Sequence, residues 1–329
     1  MLVLTRADVA ALLDLDALAD AVASALHELS VGAPSIPPRI GAQGLRGGLL
    51  AAMPGSLPEL GALGAKLVTV FPENVDAPTH QAIIAMFEPE TGTPTALVDG
   101  TLITAARTAA ASAVATRFLA RADAEVLVIA GTGVQARAHA RAMPRVCAAL
   151  REITIAGRDA GAADAMAREL RDDDALSLLT ITVAPSIETA VHGADIVCAT
   201  THSPDPVVRR EWLRDGVHVN SVGFNTAGRE VDAETVRDAL VVVESRASAL
   251  APVPAGANEL LWPIRDGIIT ADHVHAEVGE LVAGTRPGRT RADEITLYKS
   301  VGVAAEDLAA ASMVVAAALT RGLGTVVDI

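Results

Sequence analysis

Residues 126–136 read VLVIAGTGVQA, an apolar run that stops at a glycine, with a second glycine two positions on. No other stretch restricts the fold as much. Gly131, Gly133 and Ala136 fit G-x-G-x-x-G/A. Alone the pattern is only a glycine-rich turn; it gains meaning between a strand and a helix, with another strand about 20 residues further on. All three are present: EVLVIA at 125–130, the helix-compatible VQARAHARAMPRVCAAL, and EITIAG at 152–157. In that setting Gly131 permits the tight turn, Gly133 has no side chain to block a pyrophosphate, and Ala136 lets helix and strand pack closely. The helix N-terminus presents N–H donors and the positive end of its dipole to the phosphates.

The rhythm continues. LLTITVA (178–184), DIVCATT (195–201), VHVNSVG (217–223) and LVVVES (240–245) read as strands separated by helical stretches, the first helix being broken or kinked near Pro144. Strands alternating with helices give a parallel sheet covered on both faces. The first hundred residues differ. One or two helices over 5–29 and a Pro-rich connection at 31–40 lead into short apolar runs at 47–54, 64–72, 81–92 and 93–100, with EPETG as a hairpin loop. These predict an antiparallel or mixed sheet. The Ala-rich stretch 101–122 predicts one long helix suited to joining two domains. A second Ala-rich helix, within 295–322, follows a short strand or turn and is expected to pack on the first domain. The fold class is therefore α/β. A Rossmann dinucleotide-binding domain over 122–295 is inserted into a smaller α/β domain formed by 1–121 and 296–329.

Charge narrows the partners. A formal net charge of −14 disfavours nucleic acid and anionic membrane surfaces, though a local basic cluster can still hold a small anion. Aromatic residues are only 2%, so the core has to be built from Ala, Val and close backbones. The N-terminus carries acids every few residues and is not a signal peptide, and the apolar run at 308–319 is too short to span a bilayer. These features predict a soluble, cytoplasmic protein. Cys147 and Cys198 form no CxxC pair and read as buried small residues. His273-x-His275 reads as a loop coincidence, and no metal is expected.

Which dinucleotide would bind depends on the end of the second strand, where an acid would hold a free ribose 2′-hydroxyl. Here Gly157 stands in its place, followed by Arg158 and Asp159. Arg158 offers a planar fork to a 2′-phosphate, which favours NADP(H); Asp159 keeps NAD(H) open.

Several segments resemble the ornithine cyclodeaminase/μ-crystallin family, most closely its ketimine reductase-like branch. They are PPR (37–39), MP (53–54), AKLVTVFPEN (65–74), the block 78–119, AGTGVQA (130–136), VNSVGFNTAGREVD (219–232) and KSVGVAAEDLAAA (299–311). The resemblance implies a homodimer in which the discontinuous domain binds substrate and mediates dimerisation. It also implies a small amino or imino acid as substrate. Arg39, Lys66 and Arg107 match the family's carboxylate-binding residues, and two guanidinium forks with one ammonium suit an anion. Without the resemblance each would read as an ordinary charged side chain. Beyond the glycine turn, coenzyme contacts carry over to Val134, Gln135, Thr200, Val222, Gly223, Arg229 and Ser300, and Val301 would line the substrate pocket.

One position departs from the cyclodeaminases. Where they have an aspartate that moves protons, this chain has Asn225, and an amide is no general base at neutral pH. A protonated cyclic imine can accept hydride without such a base, and Asn225 is then expected to hydrogen-bond substrate or ribose. The resemblance thus implies reduction of a cyclic ketimine such as Δ1-pyrroline-2-carboxylate or Δ1-piperideine-2-carboxylate to the L-amino acid. An alanine-type dehydrogenase, a cyclodeaminase and an NADPH-dependent ligand-binding protein are the alternatives. Lys66 is the first candidate proton donor and His80 the second.

Overall fold

The computed structural model describes residues 1–328. The chain divides into two compact units, one made of Met1–Ala111 with the stretch from Gly302, the other of Ser112–Val301. The sequence reading set the divisions at 121/122 and 295/296. In the structure the first falls inside a helix and the second just after a strand.

In the first unit β1 (Leu2–Leu4), α1 (Arg6–Leu12) and α2 (Leu15–Val31) precede five strands, β2 (Ile40–Gln43), β3 (Leu49–Leu57), β4 (Ala62–Val70), β5 (His80–Phe87) and β6 (Pro94–Asp99). Thr5 and Asp14 cap the two helices, Thr5 in a reciprocal box with Asp8. β2 to β6 form an antiparallel meander, and β1 joins β6 in parallel, which makes the sheet mixed. β3 and β4 alternate strictly, with Ala51, Met53, Gly55 and Leu57 buried on one strand and Ala62, Gly64, Lys66 and Val68 on the other. The C-terminal α11 (Ala304–Arg321) packs on that buried face, as the sequence led one to expect. The approach is close: a Cβ on Gly64 would lie 2.8 Å from Leu308 Cδ2 and 2.5 Å from the Ala85 carbonyl oxygen. β15 (Thr325–Val326) closes the sheet antiparallel to β1.

The Ala-rich α3 (Gly100–Leu119) carries the chain into the second unit. There β7 (Val126–Ala130), α4 (Val134–Ala142), β8 (Glu152–Ala156), α5 (Ala160–Arg171), β9 (Thr180–Val183), α6 (Ile187–Val191), β10 (Ile196–Ala199) and β11 (His218–Ser221) follow the expected alternation. They continue into α7 (Ala233–Asp238), β12 (Leu240–Val243), α8 (Arg246–Ala249), α9 (Asn258–Arg265), β13 (Val274–Glu277), α10 (Val278–Val282) and β14 (Thr296–Lys299). Among the described residues the eight strands are all parallel, in the order β13-β12-β14-β11-β10-β7-β8-β9. Leu127 and Ile129 face one core with Ile153, Ile155 and Met166, while Val128 faces another with Val197, Val219 and Val241. Both faces are therefore covered.

β14 corrects the sequence reading, which set 296 onward with the first unit. All four of its residues are buried, and it pairs in parallel between β11 and β12. A four-residue strand shows no period of its own, so it read as a leader to the helix behind it. Near Pro144 the expected break is a 3₁₀ turn, Met143–Arg145, that ends α4. No described helix is long and apolar enough to cross a membrane.

Two histidines in the second unit are fully buried. His139 bonds the Ser112 hydroxyl (2.9 Å) and the Gln135 carbonyl (2.8 Å), and His218 bonds the hydroxyls of Thr296 (2.9 Å) and Thr116 (3.1 Å). Burial pushes His139 down to about 4 and His218, with Arg289 adding to the effect, down to about 3. Both are neutral when folded and gain a proton on unfolding below the ordinary value of 6.5. The stability they contribute is thus complete above that value and lost as pH falls toward the folded values. Denaturant titration should show stability dropping by about 2–3 kcal/mol between roughly pH 7 and 5.5. A flat profile over that window would contradict neutral burial of these rings.

Candidate active site

Lys66 occupies an inward position of β4 and is 1% exposed. An ammonium there needs a counter-charge, and α11 delivers it: Asp307 Oδ2 lies 2.7 Å from Lys66 Nζ. Asp307 also accepts from Arg107 Nε at 2.9 Å, and Arg107 pairs through Nη1 with Glu306. Both acids are fully buried in the first turn of α11, where the helix dipole favours negative charge. Arg39 reaches the same region, donating from Nη2 to the Gly302 carbonyl at 3.1 Å. His80, at the start of β5, is the sixth member, since the charges of Lys66, Arg107, Asp307 and Arg39 all act on it. The first unit thus brings together Arg39, Lys66, Arg107 and His80.

Burial pushes the Lys66 ammonium down, and Arg107 and Arg39 add to the effect. Against the pull of Asp307 it settles at about 7. Burial would raise Asp307, but Arg107 and Lys66 hold it below the usual carboxylate range. Burial first, then Lys66 and Arg107, push His80 to about 4, so its ring is neutral at neutral pH. Of the two, Lys66 is the group that holds an exchangeable proton near neutrality. Sequence reasoning missed Glu306 and Asp307. The available signal was adjacent acids inside an otherwise uncharged Ala-rich helix, at 304–318.

The second unit carries the glycine turn. Gly131 has φ of +125°, and a Cβ there would lie 2.7 Å from Thr200 Oγ1. α4 begins at Gly133 with no side-chain cap, and a Cβ on Gly133 would meet nothing within 4 Å. Val134 is exposed beside it, and Gln135 Oε1 is buried without a hydrogen-bond partner. Open backbone, uncapped N–H groups and an orphaned acceptor fit a dinucleotide whose pyrophosphate sits on the turn. Thr200 donates to the Ala130 carbonyl at 3.0 Å, and Val222 N–H to the Ala199 carbonyl at 2.9 Å. Gly223, Ser300 and Val301 lie at the same carboxyl edge; Ser300 Oγ and Val301 N–H donate to Glu244 at 2.7 and 3.0 Å.

At the second strand's end, Asp159 caps α5 by accepting from Ala162 N–H at 3.0 Å. Arg158 is exposed and has no ion pair among the described residues. Gly157 has a local reason as well, since a Cβ there would press on Thr132 Cγ2 at 2.9 Å. Arg229 stacks on Trp262, 5.7 Å from the ring centroid. Asn225 is committed to its own loop: Nδ2 donates to the His202 carbonyl (3.1 Å) and Oδ1 accepts from Ala227 N–H (2.9 Å). A turn after β11 thus takes both ends of the amide. His273 and His275 bond separate carbonyls, of Val236 and Pro287.

The family model for the ornithine cyclodeaminase/mu-crystallin family matches residues 1–322. The chain belongs to that family. Mouse ketimine reductase mu-crystallin is 34% identical over 81% of this chain and 80% of its own. A solved Δ1-pyrroline-2-carboxylate reductase of Thermococcus litoralis, in complex with NADH and L-proline, superposes with a TM-score of 0.93. It is 37% identical and covers 99% of this chain and 100% of its own. An archaeal alanine dehydrogenase dimer with bound NAD gives a TM-score of 0.91 at 31% identity, covering 100% of this chain and 99% of its own. The Rossmann-type α/β reading of the fold agrees with these neighbours.

Asp307 serves two buried cations, so its loss strands both. Asp307→Asn should lower stability by about 3–5 kcal/mol in denaturant titration, and Lys66→Met by less because Asp307 keeps Arg107. Equal or negligible costs would contradict the shared-carboxylate arrangement.

Proposed function

We propose that the chain is an NAD(P)H-dependent reductase of a small cyclic imino acid, of the Δ1-pyrroline-2-carboxylate or Δ1-piperideine-2-carboxylate type, forming the L-amino acid. The observation that carries this reading is the buried cluster of Lys66, Arg107 and Asp307, with Arg39 beside it. Counted with Glu306 and with Lys66 protonated, its charges sum to one excess positive, which a substrate carboxylate would neutralise. The relatives named above support the same chemistry, one of them holding a cyclic amino acid and NADH.

Bound at the glycine turn, the coenzyme would supply hydride to the imine carbon. The chain's residues do the rest. Arg39, Arg107 and Lys66 bind and orient the carboxylate. Lys66 is the group able to move a proton at neutral pH. Neutral His80 can only accept or donate a hydrogen bond there. Asn225, held at both amide ends, is a poor proton carrier, which counts against cyclodeamination. An alanine-type dehydrogenase is the second reading, favoured by the archaeal neighbour. Arg158, exposed and unpaired beside a committed Asp159, favours NADP(H), with NAD(H) as the other coenzyme. A cytoplasmic location suits an enzyme drawing on soluble coenzyme.

The outer face of the first unit's sheet supports a homodimer. Leu50, Leu67 and Ile83 are 40–45% exposed on three adjacent strands, and Leu67 pairs directly with Ile83. Such a patch marks an interface. Light scattering should give the dimer mass and Leu67→Lys should give the monomer; a monomeric wild type would remove this part of the reading.

The purified protein should oxidise NADPH with either cyclic imine, faster than with pyruvate and ammonia, and should release no ammonia from ornithine. Its kcat/KM should fall as pH rises through about 7, where Lys66 loses its proton. In Lys66→Arg that limb should vanish, since a guanidinium stays charged. No turnover across cyclic imines would overturn the assignment, and an unchanged limb in Lys66→Arg would remove Lys66 from it.

A further inference from the structure

The carboxyl edge of the eight-stranded sheet is held by a second buried ion cluster that the chemistry above does not use. Glu230 is 2% exposed and lies between β11 and α7. Its Oε1 accepts from Thr201 N–H (2.8 Å) and Thr201 Oγ1 (2.9 Å), and its Oε2 from Ser221 Oγ (3.2 Å) and Gly223 N–H (2.5 Å). Two of these donors lie just past β10, one ends β11 and one lies just past it. The backbone of Glu230 is pinned too: its N–H donates to Glu259 Oε1 at 3.0 Å, and its carbonyl accepts from Val207 N–H at 2.8 Å. Lys299, the last residue of β14, donates from Nζ to the Gly223 carbonyl (2.7 Å) and Ser221 Oγ (3.3 Å), and pairs with Glu259 Oε1 at 3.4 Å.

Both polar groups of Gly223 are therefore consumed internally. A Cβ there would sit 2.2 Å from the Thr201 carbonyl oxygen and 2.6 Å from Glu230 Oε1. Gly223 serves by allowing this close approach rather than by offering hydrogen bonds. Beyond the paired ends of β10 and β11, the segments that leave them are held at a fixed spacing.

We propose that Glu230, backed by Lys299 and Glu259, is a positioning residue for coenzyme binding. It fixes Thr200–Thr201 against Val222–Gly223; the family resemblance assigns Thr200, Val222 and Gly223 to the dinucleotide, and the proposal rests on that reading. A pre-set edge spares the cost of ordering these segments when the coenzyme binds. The carboxylate is specifically required: four donors converge on it, and an amide in its place would turn an N–H toward at least one of them. The opposite edge of the sheet supplies a control. Asp195 accepts from Glu125 and Val126 N–H at 2.9 and 3.0 Å and pairs with Arg121 at 2.7 Å, tying strand beginnings rather than strand ends.

Glu230→Gln and Asp195→Asn in the full chain would be compared with the wild type by thermal melting and by NADPH and NADH titration, read from coenzyme fluorescence. Glu230→Gln should bind coenzyme about tenfold or more weakly, and Asp195→Asn within about twofold of wild type, although both melt earlier. Wild-type affinity in Glu230→Gln would overturn the proposal. So would equal weakening in both variants, which marks general loss of stability. If Glu230→Gln does not fold, Ser221→Ala removes one donor to Glu230 and one acceptor of Lys299; weakening of about threefold is then expected, and unchanged affinity contradicts the proposal. A wild type that binds neither coenzyme overturns the functional reading and this proposal together, a result distinct from the others.

Discussion

Asp307 is a carboxylate with no exposure to water that meets two cations at once, the Lys66 ammonium at 2.7 Å and the Arg107 guanidinium at 2.9 Å. Three charges at this depth are each costly, and they are tolerable only together. The fold is arranged around that condition. Lys66 faces inward because of the period-2 pleat of β4, Gly64 lets α11 come close enough, and the first turn of α11 presents its acids where the helix dipole favours them. The arrangement leaves an ammonium near half-protonation at neutral pH beside two guanidinium groups. Such a group suits the proposed role of binding an anion and passing a proton.

The second unit meets a different constraint by a related device. Parallel strands end in loops, and an open edge of loops is a poor template for a rigid ligand. Here buried carboxylates stitch neighbouring strand ends: Glu230 joins the ends of β10 and β11, and Glu244 holds Ser300 and Val301 after β14. At the glycine turn the cross-link is a cation instead: Arg137 donates to the Thr132 and Gly133 carbonyls. The turn's geometry follows from one residue at φ of +125° and an uncapped helix.

Much of this was legible in the chain. The turn at 131–136 and the strands around it could be read because buried parallel strands are short, β-branched and bounded by turns. Lys66 stands out only through the family resemblance; its inward position on β4 comes from the strand's alternation in the structure. The illegible parts share a cause. β1, β14 and β15 have two to four residues each, too few to show a period. Glu230 sits in NTAGREVD, which reads as a polar loop, and its burial comes from Thr201, Gly223 and Lys299, distant in sequence or unremarkable beside it. Asp307 and Glu306 draw no reading of their own in the sequence. What they face was set by tertiary packing. Asn225 spends its hydrogen bonds on its own loop, which no local spacing announces.

The central claim is that the Arg39, Lys66 and Arg107 cluster receives a substrate carboxylate. A crystal structure with NADPH and L-proline tests it most directly. The account predicts the proline carboxylate within hydrogen-bond distance of Lys66 Nζ and at least one of the two guanidinium groups. A carboxylate bound elsewhere, with Lys66 and Arg107 engaged only by Asp307 and Glu306, would contradict it.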